Sequence, residues 1–217
     1  MLHDLDKTFD KILVETGKIN KREIDISFEQ PTGEWSARLN RPTLNCWCFD
    51  LRENVKLRNP EWRVSRNGDR GRRAHFPRRM NLTYLVTAWA RKIEDEHRLL
   101  WRALGTLKRF EALDPADCEG DLRYQEHKIP IWVADMSEHS FNLVDLWSVL
   151  ENQMRLGFIV VATVELDTEF GIEAPLVLDA TVRVGQSDTP SERRTTAVDV
   201  ELRHTADETA EEGDEYD

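Results

Sequence analysis

An α/β fold of the α+β type is predicted for this chain: a single mixed-sheet domain with flanking helices over residues 1–185, carrying an Arg-rich β-hairpin arm and followed by an acidic tail. Three observations predict it. Two runs, Thr43–Leu51 and Met80–Ala90, alternate at the period of two that a half-buried strand requires. Two others, Leu2–Leu13 and Arg91–Phe110, repeat apolar residues at three and four positions, the period of an amphipathic helix. After Gly185 the apolar content falls and acids accumulate, so residues 186–217 cannot bury enough surface to offset ordering and are expected to be disordered. A chain of 217 residues is long enough for one core that buries about 70 % of the surface exposed when unfolded.

The elements follow in order. Leu2, Leu5, Phe9, Ile12 and Leu13 share a helical face, with Gly17 near its end. Ile24, Ile26 and Phe28 alternate as a short strand, and Gln30–Arg41, with Pro31, Gly33 and Trp35, reads as an ordered loop. In the first long strand, Leu44, Cys46 and Cys48 oppose Trp47, Phe49 and Leu51; in the second, Met80, Leu82, Tyr84, Val86 and Ala88 line one face. Between them residues 55–79 form the arm, where Asn67-Gly68 supplies the positive φ angles of a tight turn.

The second long helix places Ile93, His97, Leu100, Leu104 and Leu107 on its stripe, widened by Ala103 and Phe110 and terminated by Asp114-Pro115. Lys128–Ala134 is a strand whose Pro130 favours its beginning or an edge. Ser140 or Asn142 caps a helix whose Leu143, Leu146, Trp147, Leu150 and Met154 share a face. Leu156–Leu166 and Leu176–Val184 then alternate on either side of a turn-rich DTEFGIEAP and read as a hairpin, the first strand central because it is apolar on both faces.

The formal charge of −11 is uneven. Residues 186–217 hold eleven acids and three arginines, or −8, leaving −3 for residues 1–185. Overall acidity argues against a general nucleic-acid binder, which needs a basic face to neutralise phosphates. Three cysteines leave at least one unpaired, and no amino-terminal apolar segment resembles a signal peptide or membrane span, so folding in the cytoplasm is expected. Cys46 and Cys48 read as small buried hydrophobes.

No cofactor or metal site and no catalytic motif emerges. His97 lies beside three acids, but adjacent helix residues point in different directions, and its place on the apolar stripe marks it as structural. The other histidines form no spaced ligand pair, and no phosphate loop or nucleophile elbow is present. The arm is the unusual feature: Trp62–Arg79 carries seven arginines against the single acid Asp69. From the residues alone it is a protein–protein arm, a nucleic-acid contact or a solvated hairpin.

The segments MLHDLDKTFDKIL, IDISFEQPTGEWSARLNRPTLNCWCFDLREN and RRMNLTYLVTAWARKIEDEHRLLWRAL together resemble the cap, or tail-terminator, proteins of extracellular contractile injection systems, which are phage-tail-like particles. VDLWSVLENQMRLGFIVVATVELD and EAPLVLDATVRVG extend the resemblance over nearly all of residues 1–185, leaving the acidic tail uncovered. The resemblance implies a structural, non-enzymatic protein that forms a homohexameric ring and caps the inner tube and contractile sheath. Its partners would be further copies of itself, the sheath protein and the inner tube protein, with no membrane involved. It also implies cytoplasmic assembly of a particle whose release by lysis the sequence leaves open.

Carried to the matching positions, it makes Trp35, Arg38 and Arg41 before the strand, Asp50, Arg52 and Glu53 at its far end, and Arg63, Arg66, Arg70, Arg72 and Arg73 on the arm candidates for architecture or contact. The alternatives are a sheath or baseplate adaptor of the same particle and, from another class, a basic-arm nucleic-acid-binding protein.

Overall fold

The computed structural model describes the backbone of residues 1–67, 70–135, 143–150, 154–167, 171–175, 179–184 and 198–203. The chain divides into two compact units, one made of Met1–Asn59 and Pro77–Asp167, the other of Pro60–Phe76 and Thr168–Asp217.

In the first unit, β1 (Asp25–Ser27), β2 (Thr43–Glu53), β5 (Arg78–Trp89), β6 (Ala112–Leu113), β7 (Ile129–Val133) and β8 (Gly157–Leu166) form a mixed sheet in the order β1-β2-β5-β8-β7-β6. Only β1 and β2 run parallel. One face is covered by α1 (Leu2–Glu15) and α3 (Ile93–Leu107): Leu5, Phe9 and Leu13 meet Leu99, Leu100, Ala103 and Leu107 over Leu44, Tyr84, Val86, Val160 and Ala162 of the sheet. The opposite face carries a smaller cluster of Trp35, Leu85, Trp89, Trp147 and Leu150, drawn from β5, α2 (Gly33–Ala37) and the region of α4 (Leu143–Val149). The strands β5 and β8 are therefore apolar on both sides, as the sequence requires of central strands. Among the described residues no helix is long and apolar enough to cross a membrane.

In several places the structure departs from expectation, each for a local reason. Gln30–Arg41 is not all loop, because the Thr32 side chain accepts the Trp35 amide and caps α2. The pairing of β2 with β5 slips by one residue between Cys48 and Asp50, so Leu51 opposes Leu82 and leaves the Trp47 and Phe49 face; it is 58 % exposed. The buried face of α3 is Glu96, Leu99, Leu100, Ala103, Thr106 and Leu107, so His97 and Ile93 are exposed and the structural reading of His97 does not hold. That helix ends at Leu107, and Asp114-Pro115 instead opens a 3-10 turn after β6. Met154 lies beyond α4 and is exposed, while the expected caps Ser140 and Asn142 lie outside the described residues.

The second unit contains β3 (Trp62–Asn67), β4 (Arg70–His75) and β9 (Gly171–Pro175), an antiparallel sheet in that order. The hairpin expected in the arm is β3–β4. Its closing pair is Asn67 with Arg70, which leaves Gly68 and Asp69 between the strands, one residue later than expected; both lie outside the described residues. The hairpin expected between Leu156–Leu166 and Leu176–Val184 does not form. Both edges of β8 are taken by β5 and β7, while part of the supposed turn is β9 and pairs with β4. The later strand, β10 (Asp179–Val184), pairs with β11 (Val198–Arg203), so six residues of the acidic tail are a strand where disorder was expected.

Candidate interaction surface

The slip in β2 re-aims the end of that strand. Beyond Cys48, Asp50 and Arg52 oppose Thr83 and Asn81, while Glu53 opposes Met80 on the other face. Arg52 Nε donates to Asp50 Oδ1 at 2.8 Å. Glu53 accepts a two-pronged contact from Arg58, with Nε at 2.8 Å, and a third hydrogen bond from Arg78 Nη1 at 3.2 Å. The Arg58 hydrogen bonds hold the Glu53 carboxyl below the usual range, with the charges of Arg58 and Arg78 acting the same way. All three candidates at this strand end are thus engaged within their own unit: Asp50 and Arg52 with each other, and Glu53 with Arg58 and Arg78.

In the loop before β2, Trp35 is buried edge-on against Trp89, with ring centroids 5.3 Å apart, and props the loop against the sheet. Arg41 is exposed, pairs with Asp25 at 2.7 Å and donates to the Lys21 carbonyl at 2.8 Å, tying the entrance of β2 to that of β1. Arg38 is exposed at the end of α2.

On the arm, cross-strand pairing sets the faces. Trp62, Val64 and Arg66 share a face with His75, Arg73 and Gly71; Arg63 and Ser65 share the other with Ala74 and Arg72. The Trp62 and His75 rings lie 3.8 Å apart, and the Arg73 guanidinium sits 4.4 Å from the Trp62 centroid, so the root of the hairpin is held by an aromatic and cation–π stack. Arg63, Arg66 and Arg72 are exposed, and Arg72 stands in register with Glu173 of β9. The side chain of Arg70 lies outside the described residues.

Two further features carried no sequence signal. A cleft of about 660 Å³ opens beside Trp89, where Arg155 stacks 4.3 Å from the Trp89 ring and ion-pairs with the buried Glu96 at 2.5 Å. On the outer side of α3, Trp101 is 76 % exposed between two cavities. The residues of each feature come from distant segments, or from a helix face whose rotation the periodicity left ambiguous.

The cysteines are free: Cys46 and Cys118 are buried and Cys48 is partly so. Burial pushes the Cys48 and Cys118 thiols up to about 11 and Cys46 higher still, which keeps them as neutral packing groups. Among the described residues no group of three or more His, Cys, Asp or Glu is placed to hold a metal ion.

The fold is shared with two solved structures. One is the sheath/tube terminator, in the extended state, of the extracellular contractile injection system PVC, with 20 % identity, a TM-score of 0.67, and coverage of 88 % of this chain and 65 % of that one. The other is the anti-feeding prophage cap, described as the AFP tube terminating cap, with 21 % identity, a TM-score of 0.63, and coverage of 85 % and 62 %. This chain therefore spans somewhat under two thirds of the length of each. No curated protein matches it. The family described as the Pvc16 N-terminal domain matches residues 5–178, a span that runs from within α1 to just past β9 and takes in the two long strands and the arginine arm, and the chain belongs to that family.

Proposed function

We propose that this chain is a structural cap protein that ends the inner tube and contractile sheath of an extracellular contractile injection system, acting as a ring of identical copies. The observation that carries the reading is the family match over residues 5–178 together with a fold shared with a sheath/tube terminator and a tube-terminating cap. The physical logic is that tube and sheath grow because each layer presents an interface for the next. A terminator matches the last layer on one face and lacks the complementary surface on the other.

The arm supports this reading. Arg63, Arg66 and Arg72 are exposed on the hairpin, beside the stack of Trp62, His75 and Arg73, and are its contact candidates. Arg38, with the Asp50–Arg52 pair, is a further contact candidate on the first unit; Trp35, Arg41 and Glu53 serve its architecture. The ring is proposed as a hexamer, and its partners as the sheath and inner tube proteins. The role requires no bond chemistry, and assembly is assigned to the cytoplasm before release of the particle.

Electron microscopy of particles made with and without this gene tests the reading. Bare, overlong or collapsed distal ends in the deletion, restored by complementation, are expected. Normally capped particles in its absence would overturn it and return the arm to the nucleic-acid reading.

A further inference from the structure

The outer side of α3 is built unlike an ordinary solvated helix face. His97, Leu100, Trp101 and Leu104, spaced at helical intervals, meet Leu156 and Phe158 at the start of β8 around a groove of about 400 Å³. The groove is dominated by apolar side chains, and Trp101 and Leu156 at its lip are 76 % and 64 % exposed. On the other flank of Trp101 a second cavity of about 300 Å³ is lined by Lys18, Arg102 and Arg109 and by no acid. Among the described residues none of these three cations forms an ion pair. An aromatic ring thus stands between an apolar slot and an anion-seeking pocket, an arrangement that suits an acidic segment bearing one large apolar side chain.

The same polypeptide carries such a segment. Residues 204–217 contain seven acids, no lysine or arginine, and a single aromatic, Tyr216, flanked by Asp214, Glu215 and Asp217. We infer that the acidic segment 204–217 of one copy docks on α3 of a neighbouring copy, with the Tyr216 ring in the groove against Trp101 and the flanking carboxylates toward Lys18, Arg102 and Arg109. Fourteen extended residues span about 45 Å, the scale of a domain this size. Head-to-tail exchange also suits a ring, because each copy gives one such segment and receives one, the pattern of a heterologous contact whose rotation closes. The groove's lining includes His97, which can meet the phenol hydroxyl. The exchange rests on the ring proposed above.

The test uses the full chain with a photo-crosslinking phenylalanine analogue, Tyr216→p-benzoylphenylalanine. After irradiation, cross-links between copies run as dimers on a denaturing gel, cross-links within a copy run as monomers, and peptide mapping gives the acceptor. The expected result is dimers joined at Leu100–Leu104 or Leu156–Phe158. In a background with Arg102→Glu and Arg109→Glu, both exposed positions, the yield should fall about tenfold at low ionic strength. Acceptors elsewhere, cross-links confined to one copy, or a yield indifferent to the charge reversals would overturn the inference. Native mass spectrometry of the same sample separates the two readings: an intact ring without these cross-links overturns tail docking alone, and a monomer without them overturns the exchange and the ring together.

Discussion

Gly120 holds a left-handed backbone, φ +57°, directly against the carboxylate of Asp4, so close that a Cβ at position 120 would overlap it. Asp4 is buried and already engaged: it takes the amino-terminal ammonium at 2.9 Å and the Asp121 amide at 3.3 Å. The ammonium, with help from that amide, keeps its carboxyl below the ordinary range. The contact fastens the start of α1 to the 3-10 turn at Gly120–Tyr124.

Gly120→Ala combines two penalties, a left-handed conformation that costs a Cβ-bearing residue about 1–2 kcal/mol and displacement of a buried, paired carboxylate. A loss of at least about 2 kcal/mol is expected in urea unfolding. A change under about 0.5 kcal/mol would mean that the turn shifts freely and that Asp4 does not anchor it.

Asp6 gives a pH signature of the opposite sign to that of an ion-paired acid. Tyr84, fully buried, donates its hydroxyl to Asp6 Oδ1 at 2.7 Å, but burial outweighs that bond and raises the Asp6 carboxyl above its ordinary value of 3.8. The native state then binds the proton more tightly than the unfolded state. Asp6 therefore reduces stability as pH rises through its ordinary value and on through the raised one. Asp6→Asn keeps the acceptor and removes the ionisation. The stability difference, variant minus wild type, should increase from pH 3 to pH 7 and reach zero or a positive value at neutrality. A variant that becomes relatively less stable over that range would show that the carboxylate is favourable as an ion.

What the sequence made legible, and what it did not, follows from which signals are local. Alternation along β2, β5 and β8 and the stripe of α1 report burial residue by residue, so those elements were readable. Partner choice is not local: Leu156–Leu166 is central because β5 and β7 occupy both its edges, which periodicity cannot distinguish from a hairpin with the next strand. The face of α3 was misread by one position because Leu100 and Leu107 belong to both candidate stripes, and the buried Glu96 and Thr106 are polar. Of the candidate contact residues, the arm arginines announced themselves by composition. Arg155 and Trp101 did not, since one meets Glu96 across 59 positions and the other is a lone aromatic on a helix.

The Arg155–Glu96 pair should show strong coupling. Glu96 Oε1 is buried and accepts both the Arg155 guanidinium and the Ala90 amide at 3.1 Å, so removing the cation alone strands a carboxylate. Arg155→Ala is expected to cost about 2 kcal/mol, part of it lost stacking on Trp89. Glu96→Gln keeps an acceptor for Ala90 and should cost less. In the double variant the two losses should fall short of additivity by at least about 1 kcal/mol in urea unfolding. Simple additivity would make the pair a surface contact of no energetic weight.

The arm arginines divide into two groups with different expected phenotypes. Arg73 lies on the Trp62 ring and serves the hairpin, so Arg73→Ala should loosen β3–β4 and speed amide exchange there at any salt concentration. Arg63, Arg66 and Arg72 are exposed, and replacing all three with Gln should weaken the contact the arm makes in a capped particle. The deficit should be largest at low ionic strength, where charges act over about 30 Å, and should shrink near 0.15 M, where the range is about 8 Å. Scoring capped ends by electron microscopy across a salt series reads this directly. A triple variant that caps as well as wild type at every salt concentration would remove the arm from the interface while leaving the terminator role to the first unit.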